Sequence, residues 1–214
     1  MEFDLKNFRL SKLNNKEYRH LYYLLYWLLY GFFFFFLEKL NRAEYIDVTS
    51  SIDRKIPFCE FFIVFYVLWY LYMTYVIVYV FFFDIKSFKK FSRFAIITYS
   101  VAVISYFVFP SMQTLRPTEF ARDNIFTDAV KFLYTIDTPT NVCPSVHVIG
   151  SLSALFTIWN AKGHKKGAIR AVFLILAILI IVSTLFIKQH AIIDVILGFL
   201  VCIVAYFIVF YKKA

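Results

Sequence analysis

Phe61 to Phe83 reads FFIVFYVLWYLYMTYVIVYVFFF, 23 residues without a charge. A hydrocarbon core of ~30 Å takes about 17–25 apolar helical residues to cross. Backbone groups in lipid have no water to bond, so such a run is a helix. Five more runs lie on either side: Leu21 to Leu37, Phe94 to Leu115, Val146 to Ala161, Ala171 to Ile187 and Ala191 to Tyr211. The fold expected is an all-α integral membrane protein, a bundle of six transmembrane helices. The composition agrees: 61% of the 214 residues are hydrophobic and the mean hydropathy is +0.69, against about 45–50% apolar in soluble domains. The first 20 residues are a basic amphipathic tail. No small-residue cleavage site follows the first run, where Glu38-Lys39 stands instead, so that run reads as an uncleaved anchor.

Charge sets the orientation. The net +9 invites a nucleic-acid reading, but the positives collect in particular loops. One group is Lys6, Arg9, Lys12, Lys16 and Arg19. A second is Lys86, Lys89, Lys90 and Arg93, expected as a loop between spans two and three. A third is Lys162, Lys165, Lys166 and Arg170, and Lys212 and Lys213 close the chain. With six spans, these 15 cations share one side and the remaining 8 take the other. The positive-inside rule then puts both termini in the cytoplasm. Lipids are the expected partners and nucleic acid is not. The single domain expected covers 1–214, with its chemistry in 60–211, in the plasma membrane. The long outer segment from Pro110 to Pro144 has room for a short surface helix over Thr127 to Tyr134. Cys59, Cys143 and Cys202 form no C-x-x-C, so neither zinc nor redox chemistry is indicated. A Cys59–Cys143 disulfide is open on the outer side, and free thiols are the plainer reading.

Three polar clusters interrupt the apolar chain, all on the non-cytoplasmic side: Arg116-Pro117, Pro144-Ser145-Val146-His147, and Ser183 with His190 and Asp194. His190 and Asp194 are four apart and share a helix face. A carboxylate on Nδ1 fixes the tautomer and leaves Nε2 a free lone pair, able to attack phosphorus. The plainer alternative is an ion pair at the interface, but an acid within a span is costly and by default functional. His147 suits a general acid for the leaving group. Ser145 offers a hydroxyl, and a backbone N–H at a helix N-terminus suited to anions; it also suits a simple N-cap. Arg116 grips phosphate oxygens or anchors to headgroups. Lys188 is a second cation or a snorkelling interfacial lysine. Gln189 is a candidate donor by position. Asp123 and Asp137 read as solvated. No cofactor or metal ligand set is recognised.

These clusters resemble the type 2 phosphatidic acid phosphatase (PAP2) superfamily over roughly residues 60 to 211. Its motifs are K-x6-R-P, P-S-G-H and S-R-x5-H-x3-D on a six-helix membrane fold. Arg116-Pro117 matches the end of the first, and Pro144 to His147 the second with Val146 for Gly. Ser183, His190 and Asp194 match the third. Phe109 stands where the first lysine would be and Thr184 where the third motif's arginine would be. Ser183-Thr184 and Gln189-His190 resemble a branch that includes inositol phosphorylceramide synthases. The resemblance implies that His190 is the nucleophile, Asp194 its partner and His147 the acid. Arg116, Ser145 and Lys188 would hold phosphate, with Ser183 bonding one oxygen. It implies a metal-independent lipid phosphate phosphatase. A lipid phosphotransferase on the same scaffold is the alternative, and a non-enzymatic transporter or scaffold the second.

Overall fold

A computed structural model describes residue 3 and residues 7–40, 42–164 and 167–211. The cations Lys6, Lys165, Lys166, Lys212 and Lys213 lie outside the described residues. The helices are α1 (Tyr23–Lys39), α2 (Ser51–Lys55), α3 (Ile63–Phe83), α4 (Ile85–Val108), α5 (Ile125–Ile136), α6 (Val146–Asn160), α7 (Gly167–Phe186) and α8 (Ile192–Val209). Short 3-10 turns precede α1 (Arg19–Tyr22) and α3 (Glu60–Phe62). Among the described residues, five helices are long and apolar enough to cross a membrane: α1 with its preceding turn, α3 with its preceding turn, α4, α7 and α8. Large apolar side chains stand exposed along them, among them Leu28, Leu71, Ile104, Ile175 and Val204. This is the surface of a helical multi-pass membrane protein.

The expected fourth span is shorter than the others. The 15 residues of α6 reach only about 22 Å at 1.5 Å each. This helix is the centre of the bundle, packed against α3, α4, α7 and α8, and most of its side chains are buried. Small and hydroxyl residues (Gly150, Ser151, Ser153, Ala154 and Thr157) bring its neighbours close. A Cβ on Gly150 would sit 2.7 Å from the Trp69 ring of α3.

The expected loop between the second and third spans is a helix instead. Only Asp84 separates α3 from α4. Its carboxylate caps α4 through the Ser87 N–H (3.3 Å) and also accepts from Lys162 N–H (2.9 Å). Lys86, Lys89, Lys90 and Arg93 therefore occupy the first turns of α4, which begins at Ile85 rather than near Phe94. It ends at Val108 rather than Leu115, ahead of Pro110. There Ser111–Met112 (β2) pairs in parallel with Ile46–Asp47 (β1), a two-stranded ribbon in an otherwise helical fold. α5 lies where a surface helix was expected and runs two residues further at each end. It buries Thr127, Val130 and Leu133 and exposes Ile125, Phe132 and Ile136. All three cysteines are free.

The close approach of α3 to α6 yields a prediction. Gly150→Ala forces the Trp69 ring aside, and overpacking of this kind costs about 1–3 kcal/mol. Thermal unfolding in detergent, followed by circular dichroism, should show a lower melting temperature. An unchanged one would mean the two helices are not this close.

Candidate active site

The turn from α7 to α8 makes the site. α7 ends at Phe186 and α8 starts at Ile192, so five residues reverse the chain. Lys188 adopts φ 56°, a left-handed backbone uncommon outside glycine. The N–H groups of Gln189 and His190 both donate to the Thr184 carbonyl, at 2.9 and 3.1 Å. His190 is thereby held against the end of α7 as α8 begins. Asp194 sits in the first turn of α8, where a carboxylate complements the helix dipole. Its Oδ2 accepts from the Ala191 N–H at 2.8 Å and faces His190 Nδ1 at 3.2 Å. Asp194 is fully buried and His190 nearly so.

His147 comes from the first turn of α6. Its ring packs on Tyr66 (4.3 Å between centroids) and Trp69 (4.8 Å), and lies 5.6 Å from the His190 ring. Both of its ring nitrogens are buried without a hydrogen-bond partner among the described residues. A buried polar atom ordinarily has a partner, so this imidazole is positioned for a group from outside the chain. The segment before α6 is tied down from two sides. The Tyr106 hydroxyl donates to the Pro144 carbonyl at 2.7 Å, and the Ser145 N–H donates to the Asp194 carbonyl at 3.1 Å. A Cβ on Gly198 of α8 would lie 3.0 Å from Val148 and 3.3 Å from the Ser145 carbonyl, so α6 and α8 also approach closely here.

Arg116 approaches from the outer segment. Its guanidinium lies 4.3 Å over the Tyr134 ring. Its terminal nitrogens donate to the carbonyls of Tyr134 (3.2 Å) and Asp137 (2.5 Å) and to Gln189 Oε1 (2.5 Å). Burial pushes its pKa down, and Tyr134 and Asp137 oppose that shift. Arg116 thus reaches the residue next to His190, but the structure joins its terminal nitrogens to protein oxygens.

A cavity between these parts measures about 20 Å³ and is lined by Phe34, Glu38, Asp137, Asn141, His147 and His190 among others. That is room for one water-sized group, so any larger group enters only as side chains shift. Glu38, at the end of α1, accepts from the Thr138 hydroxyl (2.5 Å) and from Asn141 Nδ2 (3.2 Å). Asp137, expected to be solvated, lines the same cavity and accepts a hydrogen bond from the Tyr66 hydroxyl. Asp123 is exposed as expected and pairs with Lys131 at 3.4 Å.

Of the residues expected at the site, His147 and His190 line the cavity, Asp194 contacts His190 and Arg116 contacts the lining residue Gln189, while Ser145, Ser183 and Lys188 engage other partners. Ser145 caps α6, accepting from Val148 N–H at 3.4 Å, and its own N–H is taken by Asp194. The Ser183 hydroxyl donates to the Ile180 carbonyl of its own helix at 2.6 Å. Lys188 turns the other way, and its Nζ donates to the Asp53 and Ile56 carbonyls at 2.9 and 2.5 Å. A cation on the closing carbonyls of a helix is favourable, and here it fastens α2 to the turn. Asp53 adds to the clasp by accepting the Ile192 N–H at 2.7 Å. Burial lowers the Lys188 pKa, with Asp53 opposing. The Cys143 thiol is pushed up to about 12 by burial and then by the Asp194 carboxylate beside it, so it stays neutral.

Sequence reasoning missed Glu38, Asn141, Tyr66 and the engagement of Asp137. Glu38 had a signal: it is an acid at the end of an apolar run, the feature that singled out Asp194. Tyr66 sits in a run rich in tyrosine and had none.

Lys188→Met should therefore act on stability. It strips the donor from two carbonyls, a loss of about 1–3 kcal/mol, read as a lower melting temperature with KM for a lipid phosphate changed less than twofold. A tenfold rise in KM at unchanged melting temperature would return Lys188 to the phosphate.

No curated protein and no solved structure matches this chain. The model of one family, described as the PAP2 superfamily, matches residues 36–208. Its members are generally phosphatases or phosphotransferases, which supports an enzyme acting on lipid phosphates. The match takes in Glu38, His147, His190 and Asp194, and with most of its length covered the chain belongs to the PAP2 superfamily.

Proposed function

We propose that the protein is a metal-independent lipid phosphate phosphatase that works through a phosphohistidine on His190. One observation carries this reading. Two imidazoles share one cavity with their rings 5.6 Å apart, and one of them is held through Nδ1 by a buried carboxylate. With Nδ1–H bonded to Asp194, Nε2 of His190 presents its lone pair to phosphorus. Attack forms an N–P bond and breaks the ester P–O bond. His147 gives the departing alkoxide its proton. Water then attacks the phosphohistidine, His147 takes a proton from it, and phosphate leaves with His190 restored. Arg116 holds oxygens of the phosphoryl group after exchanging a carbonyl partner, in the bidentate manner that suits guanidinium. Ser145 acts by capping α6 and tying its start to Asp194.

The reading extends to the whole chain. It is a single domain of six spans, α6 being the fourth, with both termini in the cytoplasm and the cavity at the extracytoplasmic leaflet of the plasma membrane. Lys89 and Arg93 at one end of the bundle and the histidines at the other suit the positive-inside rule. Phosphatidic acid, phosphatidylglycerol phosphate and polyprenyl pyrophosphate are the substrates of choice.

Transfer to a lipid hydroxyl is the second reading, in line with the branch that includes inositol phosphorylceramide synthases. Glu38 favours it: a carboxylate lining the cavity beside Asn141 is a hydrogen-bond acceptor for an incoming hydroxyl.

His190→Ala should abolish turnover while the protein still inserts and folds. His147→Ala should slow it by about 10²–10⁴-fold, the range of general acid catalysis. Activity on a labelled lipid phosphate should survive EDTA. Free labelled phosphate marks hydrolysis, and label in a second lipid marks transfer. Full activity of His190→Ala, or strict dependence on Mg²⁺, contradicts the mechanism.

A further inference from the structure

The end of the bundle opposite His147 and His190 holds a second hollow with different chemistry. It measures about 360 Å³ and is lined by Arg19, His20, Tyr22 and Tyr23 ahead of and at the start of α1, and by Lys89 and Arg93 of α4. Three permanent cations face one space, and among the described residues no carboxylate lines it. Among the described residues, Arg19, Lys89 and Arg93 form no ion pair. Arg19 is steered by its Nε onto the Asn14 carbonyl (3.0 Å), and Arg93 by its Nε onto the Tyr23 hydroxyl (3.2 Å).

His20 supplies an independent observation. Its side chain is fully buried, with Phe3, Phe81 and Phe88 packed against the ring. Nδ1 lies 2.8 Å from the Glu17 carbonyl. A carbonyl only accepts, so Nδ1 carries a hydrogen. Nε2 is buried with no partner among the described residues. His20 lines the hollow ringed by these cations, and its orphaned Nε2 can donate to a phosphate oxygen once the ring is protonated.

We propose that this hollow binds the phosphate of an anionic phospholipid in the leaflet opposite the catalytic cavity. The setting favours a lipid over a free ion. The hollow lies at the end of a membrane helix, and α1 leads away from it with Leu24, Leu25 and Leu28 exposed, a surface along which an acyl chain can lie. Tyrosines at this level are typical of the membrane interface, and basic pockets between membrane helices take anionic headgroups. The 17 residues of α1 put about 25 Å between this site and the catalytic cavity, so it is a separate site. A lipid held here staples the start of α1 to α4, and α1 carries Glu38 at its far end.

The test uses the purified full chain in nanodiscs of dioleoylphosphatidylcholine with and without dioleoylphosphatidylglycerol, reading bound lipid by native mass spectrometry after release. The wild type should retain phosphatidylglycerol at least tenfold over phosphatidylcholine. The Lys89→Glu, Arg93→Glu double variant should lose that preference and keep its activity on a lipid phosphate. Should the double variant not fold, Arg19→Gln with Arg93→Gln should still lower the preference several-fold, both residues being exposed. Equal retention of the two lipids by the wild type, or an unaltered preference in the folded variants, overturns the proposal. Displacement of the bound lipid by 10 mM inorganic phosphate would assign the site to a free ion and also overturn it.

Discussion

Asp194 fastens the end of the bundle that holds the two facing imidazoles. Its carboxylate binds the Ala191 N–H and faces the His190 ring, while its backbone carbonyl accepts the Ser145 N–H. One residue in the first turn of α8 thus fixes the rotamer of one imidazole and the entry of the helix that bears the other. Buried electrostatic contacts of this kind are strong because the surroundings are poorly polarisable, and an unmade one is correspondingly costly. The rest of the site reads as support for this arrangement. Tyr106 holds the Pro144 carbonyl, and Gly198 lets α8 approach the Ser145 carbonyl. Lys188 and Asp53 clasp the turn from its outer side.

The charge around the cavity is unusual for a phosphate enzyme. Phe109 and Thr184 stand where cations were expected, and Lys188 is committed to α2. Arg116 remains, shared among protein oxygens, and Glu38 and Asp137 line the cavity as carboxylates. A phosphoryl group arriving here gains less from fixed positive charge than from imidazoles and a repositioned guanidinium. Under the proposed function, binding energy from the hydrocarbon part of a lipid substrate then has more to supply.

Much of this was legible in the sequence because ionisable groups are conspicuous in an apolar chain. His147, His190, Asp194 and Arg116 stood out for that reason, and the structure gathers them. The apolar runs gave the helices, with ends that moved where local chemistry intervened. Asp84 as an N-cap starts α4 nine residues before Phe94, and Pro110 with the β1–β2 ribbon stops it. Where the reading parted from the structure, side-chain direction was responsible. Lys188 lies two residues from His190, yet its left-handed backbone sends it to α2. The Ser183 hydroxyl bonds the Ile180 carbonyl of its own helix. Glu38 is distant in sequence and arrives by packing of α1 on α4, which no local spacing encodes.

The most direct measurement is to trap the covalent intermediate. Full-length protein is mixed with a lipid phosphate labelled in its terminal phosphoryl group, quenched in alkali within a turnover, digested and mapped by mass spectrometry. The mechanism requires an alkali-stable, acid-labile label on the peptide bearing His190, absent from Asp194→Ala. Label on any other residue, or product formed with no label on protein at any time, would contradict it.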